Sequence, residues 1–141
     1  MFDLDDTLYL EREYVRSGYL AVAAHLRHRL GHRHAYEDWL WERFCAGRAD
    51  GAFDAMSERF ALHLSPDDLA ELVAVYRGHR PTIQPVPGID RLLAELTRRG
   101  PVGLLSDGYL PAQRYKLEAL GLAEHFAGVV FTEAIGRDAW K

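Results

Sequence analysis

Cysteine is nearly absent from this chain: Cys45 is the only one. A single thiol excludes an internal disulfide framework and a cysteine zinc cluster. Long apolar runs are missing too, and none approaches the roughly 20 residues that a membrane-spanning helix needs. Basic charge is not in excess. Lys and Arg number 17 against 21 Asp and Glu, and the formal net charge is −4. The two signs are interspersed, which gives no footing to nucleic acid or to a polybasic membrane contact. The N-terminus runs straight into acids, without a basic-then-apolar segment, so a cytoplasmic location is the expectation. No internal repeat or low-complexity tract occurs. What is present is 141 residues, 48% apolar and 27% charged, enough for one ordinary globular domain.

The stretch Phe2-Asp3-Leu4-Asp5-Asp6-Thr7-Leu8-Tyr9 carries the strongest chemical signal. Strand side chains alternate faces with period two, so Asp3 and Asp5 are expected to leave a strand end pointing the same way. Two like charges held that close need an offset: a divalent cation, a bound proton, or both. Carboxylate oxygens are hard ligands suited to magnesium, which keeps several waters and takes one or two protein carboxylates. Thr7 adds a hydroxyl where the chain turns away.

From about Leu10 to Arg80 the pattern is helical. Val15, Tyr19, Val22, Leu26 and Leu30 recur at spacings of three and four, and Gly31 ends the helix. Tyr36, Leu40 and Phe44 mark a second helix, and Phe53, Met56, Phe60 and Leu64 a third. A fourth opens on Ser65-Pro66-Asp67-Asp68: an N-cap serine, a proline at the first helical position and acids in the first turn. Such helices with short connections predict an antiparallel bundle. Trp39, Trp41 and Phe44 read as its core. His25, His28, His32 and His34 read as a solvated helix face, and so do Glu11, Arg12 and Arg16.

Pro81, Pro85 and Pro87 break the pattern and mark a boundary. Ile89 to Arg99 reads as a helix closed by Gly100, and Pro101 to Leu105 as a strand. Ser106-Asp107-Gly108 follows at the strand's carboxyl end, where open parallel sheets bind their ligands. These residues offer a hydroxyl and backbone N–H groups, and Gly108 allows close backbone approach. A helix from Pro111 to Leu120, stopped by Gly121, and a strand at Val129 to Phe131 complete a helix–strand alternation that argues for a parallel sheet.

Phe2 to Tyr9 resembles the first signature of the haloacid dehalogenase superfamily, in its phosphatase-type branch. The resemblance implies that Asp3 attacks phosphorus to form an aspartyl-phosphate, and that Asp5 serves as general acid and then general base. It implies magnesium as the cofactor, held by Asp3 and by Asp5, the latter through its backbone carbonyl. Ser106 matches the second signature, a hydroxyl holding a phosphoryl oxygen. Val129 to Phe131, Glu133, Gly136 and Lys141 match the third, whose lysine steadies the nucleophile and the phosphoryl group. Lys116 is the second candidate for that lysine, placed lower because it lies inside the preceding helix. The fourth signature, an acidic cluster that adds a magnesium ligand, would fall beyond Lys141. Two strands of the usual sheet would also be lacking, which implies weak metal binding, weak activity and self-association through a bare sheet edge.

The expected fold is therefore α/β: a doubly wound, Rossmann-like core at 1–10 and 86–141, its sheet incomplete, with a helical cap inserted at 11–85. The expected function is magnesium-dependent hydrolysis of a small phosphate monoester such as a nucleotide, a sugar phosphate or a phosphoglycolate-like compound. Asp3, Asp5, Ser106 and Lys141 are the catalytic set. Thr7, Ser106, Asp107, Gly108 and Lys141 are the phosphate-binding set. The rivals are a dehalogenase, which does not need an acid at the Asp5 position, a phosphomutase, and a catalytically incomplete relative acting through binding.

Overall fold

The computed structural model describes residues 1–31 and 33–135. It divides into two compact units, one of Val15–His79 and one formed by Met1–Tyr14 together with Arg80–Lys141. The changeovers thus fall at Tyr14/Val15 and His79/Arg80, against 10/11 and 85/86 from the sequence. The first lies inside a helix: α1 runs unbroken from Glu11 to Leu30.

The helical unit contains most of α1, followed by α2 (Tyr36–Cys45), α3 (Ala52–Arg59) and α4 (Pro66–Gly78). Val15, Tyr19, Val22, Ala23 and Leu26 from α1 bury against Tyr36 and Leu40 from α2, Met56 from α3 and Leu72 from α4. This is the three-and-four spacing expected of one buried helix face. Gly31 ends α1 at φ +69°, a conformation that costs glycine little. The start of α4 forms a full capping box. Ser65 Oγ accepts from Asp68 N at 3.2 Å, and Asp68 Oδ2 accepts from Ser65 N at 2.8 Å. The Ser65 N–H, then Arg29, hold the Asp68 carboxyl down at about 2. α3 stops at Arg59, so Leu64 lies beyond it rather than in its last turn.

Gly18 sits where α1 meets α4. A Cβ built on it would lie 2.4 and 2.5 Å from ring carbons of Tyr76 and 3.2 Å from His79 Cε1. The Tyr76 ring cannot easily step aside, because Tyr19, Phe53 and His79 surround it with ring centroids at 5.9–6.0 Å. Gly18→Val should therefore destabilise the helical unit by about 1–3 kcal/mol, the usual cost of overpacking, despite the helix propensity gained over glycine. Thermal unfolding followed by circular dichroism checks this, and an unchanged midpoint would show that the contact yields.

The second unit is an α/β unit of the doubly wound class. After the extended segment at 80–87 come α5 (Ile89–Arg99), β1 (Gly103–Ser106), α6 (Leu110–Leu120), a 3-10 turn (Ala123–His125), β2 (Gly128–Phe131) and a short α7 (Thr132–Ile135). β1 and β2 pair in parallel with Gly103 opposite Gly128 and Ser106 opposite Phe131. Phe2 joins the other edge of β1 through one parallel bridge: Phe2 N donates to Gly103 O at 2.8 Å and Leu105 N to Phe2 O at 2.9 Å. β1 is therefore the middle of the array, and the N-terminal segment contributes a single bridged residue instead of a strand. Leu4, Leu8, Leu93, Leu104 and Leu122 are essentially sealed from solvent. The segments flanking the helical block are tied together, with Val86 N donating to Leu8 O at 2.8 Å and Gln84 N to Glu13 Oε2 at 3.0 Å.

Candidate active site

The N-terminal segment turns at Leu4–Leu8. Leu8 N donates to Leu4 O at 3.0 Å, and Asp6 takes φ +51°, a conformation that short polar side chains tolerate best. Asp6 Oδ1 then accepts from Glu11 N at 2.8 Å at the start of α1, an acid at the positive end of a helix. The turn buries Leu4, Leu8 and Tyr9, which anchor it, and leaves the acids between them facing other partners.

Asp3 and Asp5 have separate surroundings. Asp3 is exposed and accepts from its neighbour Leu4 N at 2.7 Å. It lines a cavity of about 430 Å³ with Met1, Phe2, Leu105, Asp107 and Thr132. Asp5 is half-buried. Its Oδ1 accepts from Lys116 Nζ at 2.7 Å and from the Tyr9 hydroxyl, and its Oδ2 accepts from Gln113 Nε2 at 3.2 Å. Pairing with β1 stops at Phe2, and the two acids take different partners. The offset required at Asp5 comes from a lysine.

That lysine is withdrawn from water: its side chain is 5% exposed, against 25% for Asp5. Besides the carboxylate, its Nζ lies 4.2 Å from the ring centroid of Tyr14 and 5.8 Å from that of Tyr9. A buried ammonium needs such partners, a full countercharge first and aromatic faces second. Burial, and next the hydrogen bond to Asp5, push the Tyr9 phenol far above its ordinary range, so it stays a donor at any physiological pH. Partial burial and the Asp5 charge also raise Glu11, while Lys116 opposes them.

Ser106 closes the cluster. It is 1% exposed, and its hydroxyl donates to Gln113 Oε1 at 3.0 Å. Gln113 thus links the end of β1 to the N-terminal turn through one side-chain amide. Gly108, at φ +119°, makes the room: a Cβ there would lie 2.6 Å from Gln113 Nε2.

Of the residues expected from the sequence, the structure brings Asp5 and Ser106 together through Gln113. It places Asp3 with Asp107 at the cavity, where Thr132 Oγ1 donates to Asp107 Oδ1 at 2.6 Å. Thr7 is exposed on the turn. Glu133 accepts from Leu110 N at the start of α6. Gly136 and Lys141 lie outside the described residues. Sequence reasoning misses Gln113 and ranks Lys116 second to Lys141 because it lies within a helix. Its helical position is what delivers it, because Gln113, Lys116, Leu117 and Leu120 form the buried stripe of α6. Two polar residues inside an apolar stripe were the available signal.

Among the described residues no three His, Cys, Asp or Glu side chains are grouped to hold a metal, and no helix is long and apolar enough to cross a membrane.

Comparison with known proteins places this geometry. The family model for haloacid dehalogenase-like hydrolases matches residues 1–138, and the chain belongs to that family. Comparison with curated proteins finds no match. Among solved structures, YfnB from Bacillus subtilis bound to magnesium is similar at 19% identity, with 96% of this chain and 63% of that one covered and a TM-score of 0.60. A hydrolase from Streptococcus pneumoniae TIGR4 aligns at 20% identity over 96% of this chain and 66% of its own, with a TM-score of 0.53. A haloacid dehalogenase-like family hydrolase from Xanthomonas campestris aligns at 21% identity over 93% of this chain and 59% of its own, also with a TM-score of 0.53. The chain thus spans 59–66% of the length of these relatives.

Proposed function

We propose that the protein hydrolyses a small phosphate monoester, with magnesium as cofactor. The observation that carries this reading is the division of labour between two acids. Asp3 is open at a cavity, as a nucleophile must be, while Asp5 is fixed by three donors, as an acid–base group must be. A carboxylate oxygen of Asp3 attacks phosphorus as the ester P–O bond breaks, and Asp5, having taken a proton from water on Oδ2, the oxygen that Lys116 does not hold, gives it to the departing alkoxide. Water then attacks the aspartyl-phosphate and passes a proton to Asp5. Inorganic phosphate leaves and the Asp3 carboxylate is restored. The Ser106 hydroxyl exchanges its Gln113 acceptor for a phosphoryl oxygen, and the 107–108 turn and Thr7 provide further donors. Lys141 steadies the phosphoryl charge.

The donor set fits magnesium. Both Asp5 carboxylate oxygens are already engaged, which leaves the Asp3 carboxylate and the Asp5 backbone carbonyl. One carboxylate and one carbonyl suit a cation that keeps most of its waters. When bound, magnesium neutralises charge on the phosphoryl group.

A screen of nucleotides, sugar phosphates and phosphoglycolate for phosphate release, with and without magnesium, tests the reading. Magnesium-dependent release is the expected result. Halide release from 2-haloacids with no phosphate release would replace it with the dehalogenase reading.

A further inference from the structure

α6 carries two buried polar side chains: Gln113, to which the family resemblance gives no role, and Lys116, which it ranks below Lys141 for the third-signature lysine. Gln113 and Lys116 are each 4% exposed, in a stripe otherwise filled by Ala112, Leu117 and Leu120. Polar groups are withdrawn from water this fully only when partners compensate them. Here the compensation is specific. Lys116 brings a compact cation with donors and no acceptor, and its only ion-pair partner among the described residues is Asp5. Gln113 uses both ends of its amide, accepting from Ser106 and donating to Asp5.

Neither side chain lines the cavity at Asp3. Their contacts run to Asp5, Ser106 and the Tyr9 and Tyr14 rings, so their effect on a reaction there passes through Asp5 and, for Gln113, through Ser106 as well. We propose that Lys116 and Gln113 clamp the Asp5 carboxylate in one orientation, and that they are the positioning residues for proton delivery to the leaving oxygen. The kinetic half of this inference rests on the phosphatase reading, whereas the clamp itself rests on geometry.

The geometry dictates what the clamp does. Tyr9 belongs to the same turn as Asp5 and moves with it. Lys116 and Gln113 belong to α6, which follows Ser106 after a short turn. The acid–base carboxylate and the phosphoryl-holding hydroxyl are therefore referenced to one helix. Fixing one relative to the other sets where the leaving oxygen must lie for its proton. A misplacement of about 1 Å can cost as much as 10²-fold in rate.

The test uses two esters. An aryl phosphate leaves as a stable phenolate and needs little protonation, whereas an alkyl phosphate leaves as an alkoxide and depends on it. Lys116→Met keeps the buried stem and removes the charge. It should lower kcat for the alkyl ester by about 10–100-fold, the range for groups that orient a reacting side chain, with KM little changed and the aryl ester affected far less. Gln113→Leu should shift the alkyl-to-aryl ratio in the same direction, and it carries the test if Lys116→Met does not fold. Equal losses on both esters, or no loss on either, would overturn the positioning role.

Thermal midpoints of Lys116→Met, Asp5→Asn and the double variant give an activity-independent arm. A clamp requires non-additivity, with Lys116→Met costing clearly less once Asp5 is an amide. Additive shifts would overturn it. If the parent protein hydrolyses neither ester, the phosphatase reading fails on its own, and the midpoint cycle still decides whether the clamp exists.

Discussion

Asp3→Asn should abolish turnover while leaving the fold unchanged. The substitution is nearly isosteric, and the asparagine oxygen can still accept the Leu4 N–H, which Asp3 Oδ1 takes at 2.7 Å. Asp3 is exposed and holds no other element in place. What is lost is the anionic oxygen proposed to attack phosphorus, since an amide oxygen is a poor nucleophile and forms no acyl phosphate. Removing one stabilising donor from an active site costs about 10²–10³ in rate, and removing a nucleophile costs more, up to about 10⁶. Loss beyond about 10³-fold, with an unchanged unfolding midpoint, is the expected outcome. Activity within about threefold of the parent would overturn the aspartyl-phosphate mechanism while leaving the family assignment intact.

Much of the fold was legible because its signals are local. The α1 stripe, the Ser65 cap and the Gly121 stop at φ +66° each follow from a few adjacent residues, and the structure reproduces them. The parallel pairing of β1 and β2 followed from helix–strand alternation. Two things were not legible. The turn at Leu4–Leu8 is held by burial of Leu4, Leu8 and Tyr9, a tertiary event that gives Asp3 and Asp5 different partners. The partner of Asp5 lies 111 positions away. Spacing within α6 says that Gln113 and Lys116 share a face, but not that the face meets the N-terminal turn. A lysine inside a helix is ordinarily a solvated one, and only the apolar company of Leu117 and Leu120 marks it as different.

The offset of charge at Asp5 shows the same limit from the chemical side. Repulsion between neighbouring acids calls for an offset, which the sequence reading assigns to a divalent cation, a bound proton or both, but the physics does not say which group supplies it. A cation from solution and an ammonium on the chain satisfy it equally well. The chain supplies its own for Asp5, so the protein groups left for the proposed magnesium narrow to the Asp3 carboxylate and the Asp5 carbonyl.

Gly108→Ala tests whether this arrangement depends on a missing methyl group. Gly108 has φ +119°, in a region that side-chain-bearing residues almost never occupy, and such strain costs about 1–3 kcal/mol. The added Cβ would also lie 2.6 Å from Gln113 Nε2, so one of the two must move. A surface glutamine would swing away at little cost. Gln113 is buried and holds Ser106 at 3.0 Å and Asp5 at 3.2 Å, so its displacement breaks both contacts at once. Leaving buried partners unsatisfied adds about 1–3 kcal/mol. The variant should therefore lose about 2–6 kcal/mol of stability and about 10–100-fold in kcat on alkyl phosphates. In the double variant Gly108→Ala, Gln113→Ala the clash is gone, and only the backbone strain and the lost amide remain. Adding Gln113→Ala to Gly108→Ala should thus cost little further stability, whereas Gln113→Ala alone should be costly. Unfolding midpoints for the three variants read this directly. If Gln113→Ala costs the same with and without the alanine at 108, the methyl group does not reach the amide, and Gly108 serves the backbone turn alone.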